Sequence, residues 1–151
     1  MTRTEIITEL KKYFSISELV CPHTLQSFGE TAWQFLRTEQ MHNLLVVRVD
    51  ILKVPMHINT YPSGLFTQRG FRCNLCKIVS EKTDKNQIYL SAHTTGSGFD
   101  FDSEGFTAEQ ARIRIVQLSP KIPYPFRLER AVNWVHLDSY DPCNGKKINL
   151  F

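Results

Sequence analysis

Long apolar runs are missing from this 151-residue sequence: no stretch approaches the roughly 18 consecutive apolar residues of a membrane-crossing helix. The polar segment that follows Met1, with Lys11 and Lys12, contains no uninterrupted apolar h-region, so no secretory signal peptide is expected. Internal repeats and low-complexity tracts are also absent. Charge of either sign is modest, with 18 Lys and Arg against 15 Asp and Glu, a net +3 that mildly favours an anionic polymer. The basic residues are scattered rather than clustered, which argues against nucleic acid as the partner. Cysteine is scarce, with Cys21, Cys73, Cys76 and Cys143 making up the complement of 4. Cys73-x-x-Cys76 invites a zinc or redox reading, but no second Cys-x-x-Cys accompanies it, so free buried thiols are the expectation.

What remains is ordinary for a water-soluble globular chain, at 42% apolar and 22% charged residues. A chain of this length forms one domain, 1–151, that buries roughly 70% of its unfolded surface without needing a metal or disulfide to hold its core. A monomer is expected.

The most informative stretch is Ser91-Ala92-His93-Thr94-Thr95-Gly96-Ser97-Gly98-Phe99-Asp100. An unbroken strand would hold His93 and Asp100 roughly 20 Å apart or more, so both reach one ion only if the chain reverses between them. Gly96 and Gly98 permit that reversal. A third ligand is available in Asn133-Trp134-Val135-His136-Leu137-Asp138. Imidazole, carboxylate and imidazole with a fourth position open to water is the ligand set of a catalytic zinc site. The plainer alternative is a surface or hydrogen-bonded histidine, the usual role of any one of the 5 in such a chain.

Ser-x-His-x-x-Gly-x-x-x-Asp followed by Trp-x-His-x-Asp resembles the zinc D-alanyl-D-alanine carboxypeptidase family, whose fold is shared by hedgehog signalling domains. Phe14-Ser15-Ile16-Ser17-Glu18-Leu19-Val20 is similar to the opening segment of small phage-type members. Ile58-Asn59 and Gly70-Phe71-Arg72-Cys73-Asn74 resemble their Ile-Asn-Ser-Gly-Tyr-Arg segment, stretched by an insertion. The resemblance implies a zinc ion on His93, Asp100 and His136 and a peptidoglycan peptide as substrate. It also implies cytoplasmic synthesis, with release at phage lysis or in the virion. Arg72 is expected to stabilise an oxyanion or fork onto a terminal carboxylate, and Ser91 to hydrogen-bond within the site.

One position departs from the family pattern. Asn133 stands where these peptidases place a Glu or Asp as general base, three residues before the last histidine, and an amide cannot accept and hold a proton. Asp138, on the His136 face of its strand, and Glu129, further upstream, are the acids that could compensate. A catalytically weakened homologue that binds zinc and cell wall is the alternative reading.

The remaining pattern gives the framework. Helices are expected over Thr4 to Tyr13, capped by Thr4, and over Glu30 to Leu52 as one helix or a broken pair with Thr38 as a second cap. Phe14 to Val20 and Val54 to Thr60 read as extended, and Tyr61 to Gly70 as a loop walling a cleft. Lys82 to Gln87 reads as a turn before a strand at Ile88 to Ser91. Thr107-Ala108-Glu109-Gln110 spells a capping box for a helix carrying Ala108, Ala111, Ile115 and Leu118. In Phe99-Asp100-Phe101 and again across Val132 to Tyr140, alternation sends the polar residues to one face. Asn144-Gly145 suggests a closing hairpin. His23, His42 and His57 carry no expected role. The fold class is α+β, with a small antiparallel sheet carrying the zinc site, helices on its N-terminal side and one helix in the C-terminal half.

Overall fold

Alternation over Phe99 to Phe101 and Val135 to Leu137 builds the centre of the molecule. In the computed structural model, which describes residues 1–151, β2 (Gly98–Ser103) and β4 (Val135–Asp138) pair antiparallel, with Phe99 opposite Leu137 and Phe101 opposite Val135. These four side chains are at most 1% exposed and lie in the main apolar core. The sheet extends to β1 (Met56–His57) on one side and to β3 (Phe126–Leu128) and β5 (Ile148–Leu150) on the other, in the order β1-β2-β4-β3-β5.

The helices are α1 (Arg3–Leu10), α2 (Ile16–Leu19), α3 (Pro22–Phe28), α4 (Thr38–Val46), α5 (Lys77–Asp84) and α6 (Ala108–Gln117). All but α5 contribute to the main core; α5 packs through Val79 on a separate small cluster with Cys21 and Cys76. Ile6, Leu10, Met41, Leu44, Ala111 and Ile115 are fully buried in the same core as the sheet. Polar side chains of α4 close the joints: Gln40 donates through Nε2 to the Leu137 carbonyl at 2.8 Å, and Asn43 Oδ1 accepts from the Tyr124 amide at 3.1 Å. The α+β expectation holds, with helices N-terminal, one in the C-terminal half and a mostly antiparallel sheet.

Several local expectations are corrected. Thr2, not Thr4, caps α1, because Glu5 is the acid three residues on that completes the capping box. Phe14 to Val20 is not extended: Ser15 and Glu18 form a second capping box that starts the short helix α2. Glu30 to Leu52 is a broken set, a 3₁₀ turn over Gly29–Phe35, then α4, then a π-helical stretch over Val47–Leu52. Thr38 is the first residue of α4 rather than its cap, and its hydroxyl receives Arg3 Nη1 at 2.7 Å. Only Met56–His57 of the Val54 to Thr60 segment is strand.

Ile88 to Ser91 finds no partner strand, and Ile88 and Leu90 are 91% and 73% exposed. Lys82 belongs to α5, a helix whose one buried residue is Val79. The hairpin at Asn144-Gly145 does not form, since the chain leaving β4 passes β3 and β5 runs parallel to β3 at the edge of the sheet. Thr107 does cap α6 through the expected box, accepting from the Gln110 amide at 3.2 Å.

Candidate metal centre

The polar face of the central strand pair carries the site. Asp100 lies directly opposite His136, so their Cβ atoms sit roughly 5 Å apart on the face away from Phe99 and Phe101. Gly98, opposite Asp138, has the one side-chain-free position on that face; a Cβ there would crowd Ala92 and Asp138.

His93 arrives from the turn before β2. The Ser97 amide donates to the Ala92 carbonyl at 2.8 Å and Thr94 Oγ1 to the Ser91 carbonyl at 2.9 Å. Gly96 completes the turn at φ +69°, against the Phe35 carbonyl, where a Cβ has no room. The chain thus reverses between His93 and Asp100. His93 Nε2 lies 3.2 Å from Asp100 Oδ2 and His136 Nδ1 2.6 Å from Asp100 Oδ1, so one buried carboxylate joins two buried imidazoles. The three ligand atoms lie within 4.8 Å of one another.

The far nitrogen of each ring is already engaged. His93 Nδ1 donates to the Gly70 carbonyl at 2.9 Å, and His136 Nε2 lies 2.8 Å from Asp138 Oδ2. This leaves Nε2 of His93 and Nδ1 of His136 facing Asp100, the arrangement by which partners on the far nitrogen orient metal-binding imidazoles. Asp138 is fully buried and held by Arg127 through two bonds of 2.9 and 2.8 Å.

Charge follows from these contacts. Burial works against protonation of His136, but hydrogen bonds to Asp100 and Asp138 outweigh it and raise its pKa to about 9. Burial would likewise raise the Asp100 carboxyl, yet hydrogen bonds from His136 and His93 prevail and hold it well below the usual carboxylate range. The site therefore keeps a proton that a divalent cation would displace on binding. Two neutral-capable imidazoles with fixed donor atoms and one ionised carboxylate fit a metal ion.

The three residues open into a cleft of about 460 Å³ whose walls include Arg72, Ser91, Glu129 and Trp134. Arg72 Nη2 lies 3.5 Å from Asp100 Oδ2, while its Nε donates to the Gln68 carbonyl at 2.6 Å. Ser91 lies in the cleft wall, where its Oγ accepts the Thr94 amide at 3.4 Å. Asn133 is exposed and lines an adjoining hollow with Gln68, Arg69, Arg72, Asp100 and Trp134, so the Tyr61 to Gly70 loop does wall this side. Asp102, beside Asp100 on the same face, is taken by Arg69 at 2.5 Å. His57 is exposed and pairs with Glu104, and His42 packs against the Tyr124 ring. A larger hollow of about 680 Å³ lies between α1 and α4, away from His93, Asp100 and His136.

His23 corrects the reading of it as a residue without companions. Its Nδ1 lies 3.7 Å from Cys73 Sγ and 3.9 Å from Cys76 Sγ, and with Cys21 these residues form a second group able to hold a metal. The sequence signal was divided between Cys21-x-His23 and Cys73-x-x-Cys76, with His23 and Cys73 standing 50 residues apart. The four cysteines form no disulfide, as expected, but only Cys21 and Cys76 are buried: Cys73 is half-buried and Cys143 exposed. No helix is long and apolar enough to cross a membrane. No protein-family model, curated protein or solved structure matches the chain.

Proposed function

We propose that the chain is a zinc-dependent peptidase acting on peptidoglycan peptide bonds that involve D-amino acids, as a D,D-carboxypeptidase or an L,D-endopeptidase of the lysin type. The observation that carries this reading is the convergence of His93, Asp100 and His136 on one point at the floor of a cleft, beside Arg72. The likeness of their motifs to the zinc D-alanyl-D-alanine carboxypeptidases supplies the substrate class.

Zinc held by His93 Nε2, Asp100 and His136 Nδ1 supplies Lewis-acid polarisation of a carbonyl and acidification of a water. The protein supplies the rest. Arg72, 11% exposed in its side chain and oriented by Gln68 and Tyr89, offers a fixed positive charge to a developing oxyanion or to a substrate carboxylate. Asp138 fixes the tautomer and the plane of His136, with Arg127 locking the carboxylate in turn. That engagement removes Asp138 as general base. Glu129 is the carboxylate in the cleft wall with no ligand to hold, and it takes the role of proton acceptor.

Asn133 favours the second reading, a homologue that binds zinc and cell wall and turns over slowly. Incubation of the zinc-loaded protein with defined muropeptides, read by mass spectrometry, separates the two. Release of D-alanine or cleavage after L-alanine supports the peptidase. Zinc-dependent retention of peptidoglycan fragments without product supports the binding module.

A further inference from the structure

We propose that Cys21, His23, Cys73 and Cys76 form a second, closed zinc site with a structural role, pinning the segment that carries Arg72 to the N-terminal helices. The donor atoms of all four residues lie within 4.8 Å of one another. A tetrahedral zinc with bonds of about 2.3 Å to sulfur and about 2.0 Å to nitrogen has edges of roughly 3.5 to 3.8 Å. The His23 Nδ1 contacts with Cys73 and Cys76, at 3.7 and 3.9 Å, are close to those edges. Three sulfurs and one imidazole select zinc among the abundant divalent metals, and four protein ligands leave no position for water or substrate.

The backbone around the cluster suits thiolates. Cys76 is the N-cap of α5, a position at which a helix N-terminus favours the thiolate, and Cys21 is the residue before α3. A disulfide or a Cys-x-x-Cys redox couple uses two sulfurs and leaves the approach of the third sulfur and of the imidazole without a purpose.

The ligands lie on both sides of a junction that the functional site depends on. Val20 and Phe71 form an isolated parallel bridge, in which the Cys21 amide donates to the Phe71 carbonyl at 2.9 Å and the Phe71 amide to the Leu19 carbonyl at 2.8 Å. Gly70 packs against the Leu19 carbonyl with no room for a Cβ. Residue 72 follows this bridge directly and Cys73 follows residue 72. Metal on the four ligands therefore clamps Arg72 from its C-terminal side, as the bridge clamps it from the N-terminal side.

Cobalt substitution tests the site. The full chain, purified without a histidine tag under reducing conditions, is stripped of metal and titrated with Co²⁺. Thiolate-to-cobalt charge-transfer absorption in the near ultraviolet is expected at one equivalent. It is expected to vanish in Cys73→Ser/Cys76→Ser and to persist in His93→Ala/His136→Ala, so failure of the triad to bind metal would not remove it. Should the cysteine variant not fold, zinc release from the wild-type chain serves instead: a thiol-specific mercurial should liberate one zinc per chain. A folded, reduced wild-type protein that gives no thiolate band, or that releases no zinc to the mercurial, would overturn the proposal.

Discussion

Asp138 stands directly behind His136: its Oδ2 lies 2.8 Å from His136 Nε2 while both its oxygens are gripped by Arg127. This places the carboxylate where it fixes the His136 ring, a ligand in the proposed zinc site, rather than where it meets a substrate. Asp138→Asn should weaken zinc binding at the triad by about 10- to 100-fold. Competition against a chromogenic chelator reads that change. Intact zinc affinity with lost turnover would instead assign Asp138 to proton transfer.

Glu129 and Asn133 divide the question of the base. Glu129→Gln should lower kcat by roughly 10²- to 10⁴-fold while zinc affinity holds, the contribution expected of a general base. Asn133→Asp should then change the rate little. The opposite pattern, an indifferent Glu129→Gln and a sharp gain in Asn133→Asp, would show that the base was lost at position 133. Single-turnover rates on one muropeptide decide between them.

The metal-free protein should show a stability maximum in mildly acid solution. The folded pKa of His136, about 9, lies above its ordinary value of 6.5. Its stabilisation is therefore complete below about pH 6.5 and is lost as the pH rises through about 9, by an amount on the order of 3 kcal/mol. Asp100, depressed from 3.8, contributes stability that is present above that value and lost as the pH falls below it. Urea denaturation across pH 5 to 9 with chelator present measures the alkaline limb. Zinc should abolish that limb, since the cation replaces the proton.

Gly96→Ala probes the turn that brings His93 back to Asp100. Gly96 has φ +69° and faces the Phe35 carbonyl, so a methyl group meets both strain and collision. A loss of about 2 kcal/mol or more is expected, together with weakened metal binding. Thermal unfolding with and without zinc separates the two effects. A variant as stable as wild type would mean that the turn has more freedom than its contacts imply.

The centre of the molecule was legible because it follows period-two alternation: Phe99, Phe101, Val135 and Leu137 inward, Asp100 and His136 outward. The α6 cap was legible from Thr107 and Gln110 alone, and Asp138 from its place on the face of His136. The rest was set by distant partners. Ile88 and Leu90 alternate like a strand, yet no strand lies beside them to accept their hydrogen bonds. The short strand β3 and the parallel pairing of β5 depend on a crossover that no local turn signal encodes. His23 looked solitary because its companions Cys73 and Cys76 come from 50 residues further along the chain. Glu129 had no detectable position until β3 and β4 were paired and the cleft existed.

The most direct measurement is turnover of paired muropeptides, one ending in D-Ala-D-Ala and one containing L-Ala-D-Glu, by wild-type protein stripped of metal and then reloaded with zinc. The triad account predicts product from one of the two substrates with zinc, none after stripping, and none from zinc-loaded His93→Ala/His136→Ala. Zinc-independent turnover, or full activity in that double variant, would contradict it.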